Sequence, residues 1–471
     1  MCRLLKFSLT LLLLQTVTYY EGFAQNPFWE KIKDQPITLD LESASENFAL
    51  ERLQFSVLKS SQTINTLKLK DDPNFDYTPD ELLKNRARDN FYHLGDINLT
   101  IRPLGEVTWS RYSSAQKRSA INTLMPSGDI LATGDMAATL DGIPLHVIRS
   151  WEQDKGDLVL RFTITNVTKQ AYEIGGLGIP MVFNNNMDWK NLDSAHTDNV
   201  FFDPYIGKDA GYLQVNRLHG NGPSLLVIPQ ENAVFEAYSP LNDDPTPRSI
   251  TFEGFHEWLI HSKALAETQW KGVQQWNEPT SEVLEPGDTK SYALKLVLAP
   301  SIRDIEKELL AQGRPVAIGA PGYLIPQDNP VKLFVKYKKK VKHIDVYPAG
   351  SITMEEQSIT PGGWLSYKVT GNKWGRSSVT ITYDDGLTQS IQYKVIKPEK
   401  QVVKDLGHFL TTAQWYENPS DVFGRSPSVI TYDYETKSAV TEHQNAWFAG
   451  LSDEAGAASW LAAIMKQLIQ P

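Results

Sequence analysis

The 471-residue chain holds a single cysteine, Cys2, and this scarcity excludes several kinds of site. Cys2 precedes the apolar run Phe7–Val17, so cleavage after that run leaves a mature chain without any thiol. A disulfide framework, a cysteine-ligated zinc site, an iron–sulfur cluster and a cysteine nucleophile are therefore excluded. An exported chain of this length without disulfides must rely on ordinary hydrophobic cores, which is typical of the bacterial periplasm or cell exterior.

The run Phe7–Val17 is also too short to span a bilayer. Two basic residues precede it, and a Gly-Phe-Ala stretch ending at Ala24 offers small residues where a signal peptidase cuts. We therefore predict that residues 1–24 are a signal peptide and that the mature protein is secreted or periplasmic. Because Cys2 lies before the run and not after it, we expect no lipid anchor and no membrane anchor.

The net charge and the aromatic content limit the kinds of molecule that this protein is expected to bind. The formal net charge is −10, and it becomes −11 without residues 1–24, which carry Arg3 and Lys6 against Glu21. A nucleic-acid partner is not expected for such an acidic chain. Twelve tryptophans and nineteen tyrosines are compatible with flat platforms for sugar rings, although most such rings are needed in cores.

The pattern of apolar residues divides the mature chain into four parts. Residues 25–320 carry alternating runs separated by Gly, Asn, Asp and Pro turns, which predicts one large antiparallel β-domain. A linker rich in Gly and Pro is predicted at 321–330, and short strands at 331–400 predict a small immunoglobulin-like β-sandwich. At 401–471 the apolar spacing becomes helical, with one helix starting near Gln401 and a second one at the end of the chain.

Two segments carry a resemblance to a known family. The turn Leu284–Asp288 and the strand that follows it look like the close of a β-supersandwich, and Asn445–Gly456 looks like the entry into a helical toroid. The chain resembles the secreted family catalogued as domain of unknown function 5695. This family is similar to the six-hairpin (α/α)6 glycosidases that have an N-terminal β-supersandwich related to galactose mutarotase. The resemblance implies a mainly β chain with a supersandwich and a small sandwich, followed by the first helices of an incomplete toroid.

The segment at the toroid entry supplies the first candidate site. Asp453 and Glu454 are candidate catalytic acids, and Trp447 and Phe448 could form a stacking wall for a sugar. Glycoside hydrolysis requires two facing carboxyl groups, whereas neighbours on a helix diverge by about 100°. The alternative is that both acids only stabilise the N-terminus of the second helix.

A polar loop in the large domain supplies the second candidate site. Asn186, Asp188 and Trp189 combine an amide, a carboxylate and an indole, a combination that suits sugar hydroxyls. The alternatives are a solvated Asn-rich turn and, less favoured, a calcium site whose spacing matches no EF-hand. We expect no metal and no cofactor.

Three other patterns have mainly structural explanations. Phe255–His261 alternates as a strand, with Glu257 and His261 on one face and His256 on the other. The basic stretch Lys336–His343 is expected to be a solvated edge of the small sandwich. Gly175–Gly178 lacks the helix that a phosphate-binding loop requires, so that function is discounted.

These patterns and the resemblance together predict an exported carbohydrate-active protein, similar to glycoside hydrolases, that acts on or binds a poly- or oligosaccharide. Two alternatives stay open: a non-catalytic glycan-binding or scaffold protein, which could be an inactive fragment, and a polysaccharide lyase. The sequence leaves the sugar, the linkage and the oligomeric state undetermined.

Overall fold

The computed structural model describes residues 27–39, 45–79, 82–187, 190–247, 254–422, 424, 426 and 428–441. The chain divides into two compact units. One unit comprises the chain up to Val316 together with Tyr337–His343 and Thr380–Ser390, and the other comprises the remaining residues. The described residues form mainly strands and a few short helices, so the predicted mainly β fold class is confirmed.

The N-terminal part consists of strands joined by turns and short helices. Strands β1 to β17 occupy, in chain order, Ser45–Ala49, Leu53–Leu58, Ile64–Leu69, Asn98–Pro103, Ser110–Ser113, Asn122–Thr123, Ile130–Asp135, His146–Asp154, Asp157–Thr165, Tyr172–Met181, Val200–Tyr205, Tyr212–Arg217, Ser224–Glu231, Ala237–Pro240, His256–His261, Glu282–Leu284 and Thr289–Ala299. Helices α1 to α5 occupy Pro27–Ile32, Leu83–Arg86, Leu192–Asp198, Lys263–Glu267 and Ile305–Ala311, and a 3₁₀ turn at Ile302–Asp304 precedes α5.

Within the described residues these strands form three sheets. A three-stranded sheet has the order β1-β2-β3, and a six-stranded sheet has the order β14-β15-β10-β4-β5 with β16 also paired to β10. An eight-stranded sheet has the order β11-β12-β13-β17-β9-β8-β7-β6. The pairings in the two larger sheets are antiparallel, as the alternating sequence pattern predicted.

One hydrophobic core draws on both larger sheets. Side chains alternate across a strand, so Leu158, Leu160 and Phe162 of β9 all point into it from the eight-stranded sheet. Leu99 and Leu177 enter it from β4 and β10 of the six-stranded sheet. The six-stranded sheet therefore has one face committed to the core, while its other face is available for a site.

The second part of the chain forms a small sandwich. Strands β18 to β25 occupy Val316–Ala320, Leu324–Pro326, Val331–Lys336, Val341–Tyr347, Ile352–Ile359, Leu365–Gly371, Gly375–Tyr383 and Thr388–Ile396. Its two sheets have the orders β18-β20-β23-β22 and β19-β25-β24-β21. The predicted linker at 321–330 thus contains β19, which pairs in parallel with β25. Strand β21, in the basic stretch, ends its sheet and is largely exposed, as expected for a solvated edge.

The first of the two C-terminal helices is present as α6, Glu399–Thr411. Two short hairpins follow it, formed by β26 (Trp415–Tyr416) with β27 (Ser428–Val429) and by β28 (Tyr432–Asp433) with β29 (Ser438–Ala439). Leu410 of α6 packs against Val429 of β27. The predicted second helix lies outside the described residues, so the toroid stays a prediction.

Candidate functional site

The face of the six-stranded sheet opposite the core carries a cleft with a volume of about 410 Å³. Strands β4, β10, β14 and β15 contribute its floor, and helix α4 with the turn after it contributes a wall. The lining combines apolar and polar groups; it includes Asn98, Thr100, Trp109, Arg111, Gly176, Asn242, Asp243, Glu257, Leu259, Leu265, Gln269 and Trp270. Most small-molecule sites are clefts of this kind, with a few convergent polar groups among apolar ones.

Gly176 of β10 lines the floor of this cleft, and Gly175 and Gly178 of the same strand lie against side chains that line it. A Cβ atom on Gly175 would lie 2.2 Å from the indole of Trp109, and one on Gly178 would lie 2.1 Å from Oε2 of Glu257. On Gly176 it would meet Thr100 at 2.9 Å. The register of β10 against β4 shifts between Ile174 and Gly176, and such a bulge puts successive residues on the same face. Because glycine has no Cβ atom, these three positions leave room for the neighbouring side chains that line the cleft.

Glu257 and Asn98 are the buried polar pair at this floor. Nδ2 of Asn98 donates to Oε2 of Glu257 at 2.7 Å, and both residues are more than nine-tenths buried. Oδ1 of Asn98 has no hydrogen-bond partner among the described residues. Burial raises the pKa of Glu257, against the opposing effects of the Asn98 hydrogen bond and the Arg111 charge. The cleft is therefore lined by a protonatable carboxyl and by an amide whose buried oxygen has no partner among the described residues.

An ion pair lies at the rim of the cleft. Arg111 donates to Oδ2 of Asp243 at 2.9 Å, and the hydroxyl of Tyr92 donates to the same oxygen at 2.9 Å. The next residue, Asp244, is buried and accepts hydrogen bonds from Arg86 and from the backbone N–H of Tyr92. Asp244 thereby holds the turn that presents Asp243.

A charged network surrounds Trp109, another residue that lines the cleft. Its indole Nε1 donates to Glu267 at 3.0 Å, and the guanidinium of Arg102 lies 3.8 Å from the ring centroid. Arg102 also pairs with Glu173, which accepts further hydrogen bonds from Lys263 and Ser281. Burial raises the pKa of Glu173, but the bonds from Lys263, Ser281 and Arg102 outweigh it and lower that pKa to about 2. Trp109 is therefore fixed in place.

The segment preceding β4 is fixed by a second, fully buried ion pair. Arg118 donates from two nitrogens to the two carboxylate oxygens of Asp96, each at 2.6 Å. Asp96 also accepts from the backbone N–H of His93 and from the hydroxyl of Ser114. Because these bonds join the start of β4 to the end of β5, they support the part of the sheet that carries Asn98.

Six of the seven residues predicted as site residues lie outside the described residues. They are Asp188, Trp189, Trp447, Phe448, Asp453 and Glu454. Their roles remain predictions. The seventh, Asn186, is buried, and its Nδ2 donates to the carbonyl of Pro247 at 2.6 Å. Its backbone carbonyl accepts from Asn199 at 2.8 Å, so Asn186 contributes bonds within the protein.

Asn184, the first residue of the same loop, lies at a different cavity. Asn184 lines a cavity of about 390 Å³ together with Asp72, Phe75 and Arg217. In this cavity Arg217 pairs with Asp72 and stacks on Phe75 at 4.0 Å. The cavity shares no lining residue with the cleft on the six-stranded sheet.

The predicted strand at Phe255–His261 is confirmed as β15, and its alternation has the predicted sense. Trp258 and Ile260 belong to the hydrophobic core, whereas Glu257 and Leu259 line the cleft on the other face. No group of three or more metal-ligating side chains occurs among the described residues. Nor does any helix in that part of the chain have the length and apolar character needed to cross a membrane.

The sequence matches the family of unknown function DUF5695 over residues 56–471. The chain belongs to this family. No curated protein matches it.

A solved polysaccharide lyase has a fold similar to that of this DUF5695 chain, with a TM-score of 0.62 at 15% sequence identity. The alignment covers 84% of this chain and 53% of the lyase, so the chain spans about half the length of that protein. A galactose mutarotase-like protein from Lactobacillus casei ATCC 334 aligns over its whole length with 54% of this chain, at 13% identity and a TM-score of 0.34. At these identities the likeness concerns the fold alone.

The cleft of the DUF5695 chain was not predicted from its sequence. Glu257 was placed on the correct strand face without a role, and Gly175–Gly178 was considered only as a phosphate-binding loop. A strand containing three glycines is a usable signal, since glycine in a strand often marks a close approach of other groups. Asn98, Asp243 and Trp270 come from separate elements, and no local pattern connects them.

Proposed function

We propose that this protein binds an oligo- or polysaccharide in the cleft on the six-stranded sheet. The observation that carries the proposal is the glycine floor of β10, beside which the buried Glu257 and Asn98 meet a wall containing Trp270. A sugar ring has an apolar face and a rim of hydroxyl groups, and this cleft offers a counterpart to each.

The polar groups of the cleft suit hydroxyl groups in particular. A turn of the Asn98 amide toward the cleft would let its Oδ1, which is buried without a partner among the described residues, accept from a ligand hydroxyl. At the rim, Arg111 can donate and Asp243 can accept. The apolar groups Leu265 and Trp270 lie on the wall, where they can cover the face of a ring.

The same cleft suggests how a glycosidic bond could be cleaved, the chemistry of a glycoside hydrolase. Such cleavage needs a proton donor for the leaving oxygen and a second carboxylate. Burial favours the protonated form of Glu257, which makes it the candidate acid, and Asp243 is the other carboxylate in the lining. The acids predicted at the toroid entry, Asp453 and Glu454, remain a proposal for the same role.

A polysaccharide lyase is the second candidate, supported by the fold of the solved lyase. Cleavage by elimination leaves an unsaturated sugar whose ultraviolet absorbance distinguishes it from a hydrolysis product. The proposed export, after removal of the signal peptide at Ala24, fits both candidates, because an exported protein meets polysaccharides outside the cell.

Titration of the protein with cellulose, xylan, mannan, chitin and pectin oligosaccharides tests the proposed binding. We expect saturable binding that Trp270→Ala weakens by about 1 to 3 kcal/mol, the contribution of a buried aromatic side chain. Trp374→Ala, which removes an exposed indole of the small sandwich, is the matched control and should have no effect. Equal losses in the two variants would contradict a site in the cleft.

Product analysis on the same panel separates binding from catalysis. If Glu257 is the acid, Glu257→Gln should abolish the release of reducing ends while binding persists, since the amide keeps the shape of the carboxyl. Cleavage that persists in Glu257→Gln would show that another residue is the acid.

A further inference from the structure

Two further cavities continue the cleft along the edge of the six-stranded sheet. The first has a volume of about 260 Å³ and shares Arg111 and Asp243 with the cleft. The second has a volume of about 420 Å³ and shares Ser113 and Gln116 with the first. The three cavities thus form a row in which neighbours have walls in common.

Edge strand β5 determines the direction of this row. Arg111 and Ser113 are two residues apart, so their side chains lie on the same face of β5. The row follows that face from the cleft to Ser113, and the second outer cavity then continues around the edge of the sheet, where Tyr112 of the opposite face and the exposed Gln116 and Lys117 line it. It therefore leads outward past the edge of the sheet.

The outer cavities carry the same chemistry as the cleft. Tyr92 and the exposed Asn90 and Gln116 line the first, and Tyr112 and Lys117 are among the residues that line the second. Amides, phenols and an ammonium group can all bond to hydroxyl groups. Hydrogen-bonding groups thus recur along the whole row.

The junction between the cleft and the first outer cavity is easily rearranged. The Arg111 and Asp243 side chains retain 50% and 47% of their exposure, and ion pairs this exposed contribute little to stability. A ligand can therefore exchange its own hydroxyl groups for this contact at small cost. The volumes of 260 to 420 Å³ lie near the lower end of those of sites for one small ligand, about 300 to 1,000 Å³.

We propose that the three cavities are consecutive subsites for a linear saccharide of at least three units, so that the ligand is a chain and not a free monosaccharide. This inference rests on the proposed function. It adds the substrate class: an internal stretch of a polysaccharide or a linear oligosaccharide, with one unit over Gly176 and later units beside Ser113 and Gln116.

The test compares affinity with chain length. Partial hydrolysis of the polysaccharide that binds best in the panel gives the monosaccharide, disaccharide, tetrasaccharide and hexasaccharide, each of which is titrated by calorimetry. We expect affinity to rise about tenfold or more from the monosaccharide to the tetrasaccharide, which corresponds to about 1.4 kcal/mol. Equal affinities for the monosaccharide and the hexasaccharide would overturn the subsite proposal and leave saccharide binding itself intact.

Two variants locate the added affinity. Gln116→Trp should obstruct the passage between the outer cavities, and Lys117→Ala should remove a donor at the far end. Both should weaken hexasaccharide binding several-fold. Lys117→Ala should leave disaccharide binding unchanged, whereas Gln116→Trp, which also borders the first outer cavity, should leave only monosaccharide binding unchanged. Gln357→Trp, the same change at an exposed position of the small sandwich, is the control. Hexasaccharide affinity that is unaltered in both variants would contradict the row of subsites, whereas failure of every saccharide to bind would contradict the proposed function.

Discussion

At the scale of single residues, the cleft depends on three glycines of β10, which have no side chains to fill the space. Gly176 lines it, and Gly175, Gly176 and Gly178 each leave space for a side chain that lines it. Glycine weakens a strand because it packs nothing and loses more entropy on folding than other residues. Three glycines in the middle of a buried strand are best explained by the neighbouring side chains that pack closely against them.

Gly175→Ala should destabilise the protein. Its Cβ would lie 2.2 Å from a ring that Arg102 and Glu267 hold in place, so either the indole or the strand must move. Overpacking of this kind costs about 1 to 3 kcal/mol of unfolding free energy, measured by urea denaturation. Gly322→Ala, where the added Cβ meets nothing within 4 Å, is the control. Equal stability of the two variants would show that Trp109 can relax freely.

The burial of Glu257 predicts a pH dependence of stability. Its folded-state pKa is raised above the ordinary value of 4.5, so the unfolded chain loses this proton first as the pH rises. Stability due to Glu257 is therefore complete below about pH 4.5 and declines as the pH rises through the folded-state pKa. Relative to Glu257→Gln, the wild-type protein should become less stable over that interval.

Denaturation of both proteins between about pH 4 and pH 8 measures this difference. Glu106→Gln removes an exposed carboxyl group and serves as the control for the loss of one charge. A wild-type protein that gains stability relative to Glu257→Gln as the pH rises would show that Glu257 is ionised and well paired in the fold.

At the scale of elements, the Asp96–Arg118 pair holds together the two ends of β4 and β5. Both side chains are at most 2% exposed, and Asp96→Ala would leave a buried guanidinium without its carboxylate. Such a loss costs about 3 to 5 kcal/mol. Glu355→Ala, which breaks an ion pair that is about half exposed, should cost less than about 1 kcal/mol. Thermal unfolding of the two variants checks the contrast, and similar shifts would contradict it.

The individual strands show how much of the fold the sequence could predict. In β9 the core residues Leu158, Leu160 and Phe162 alternate with Val159, Arg161 and Thr163, and the structure places the strand as predicted. β10 is buried along its whole length, so its sequence has no alternation to detect. Its glycines have meaning only beside Trp109 and Glu257, which arrive from distant parts of the chain. In the small sandwich, β22 also has no alternation to detect, because most of its side chains are exposed and polar.

At the scale of the whole molecule, composition and layout predicted the class of the protein better than the place of its site. The mainly β class and membership of DUF5695 were predicted, and both are confirmed. The site was sought at aromatic and acidic clusters that are contiguous in sequence. The cleft is assembled instead from residues between Asn98 and Trp270, which only the sheet order brings together.

The most direct test of a saccharide site in the cleft is a crystal structure of the protein with the tetrasaccharide that binds it. We predict a sugar unit over Gly176, with a hydroxyl group about 3 Å from the side-chain amide of Asn98 and an apolar ring face toward Trp270. A tetrasaccharide bound beside Asn184 and Arg217 or on the small sandwich, with the cleft empty, would contradict this account.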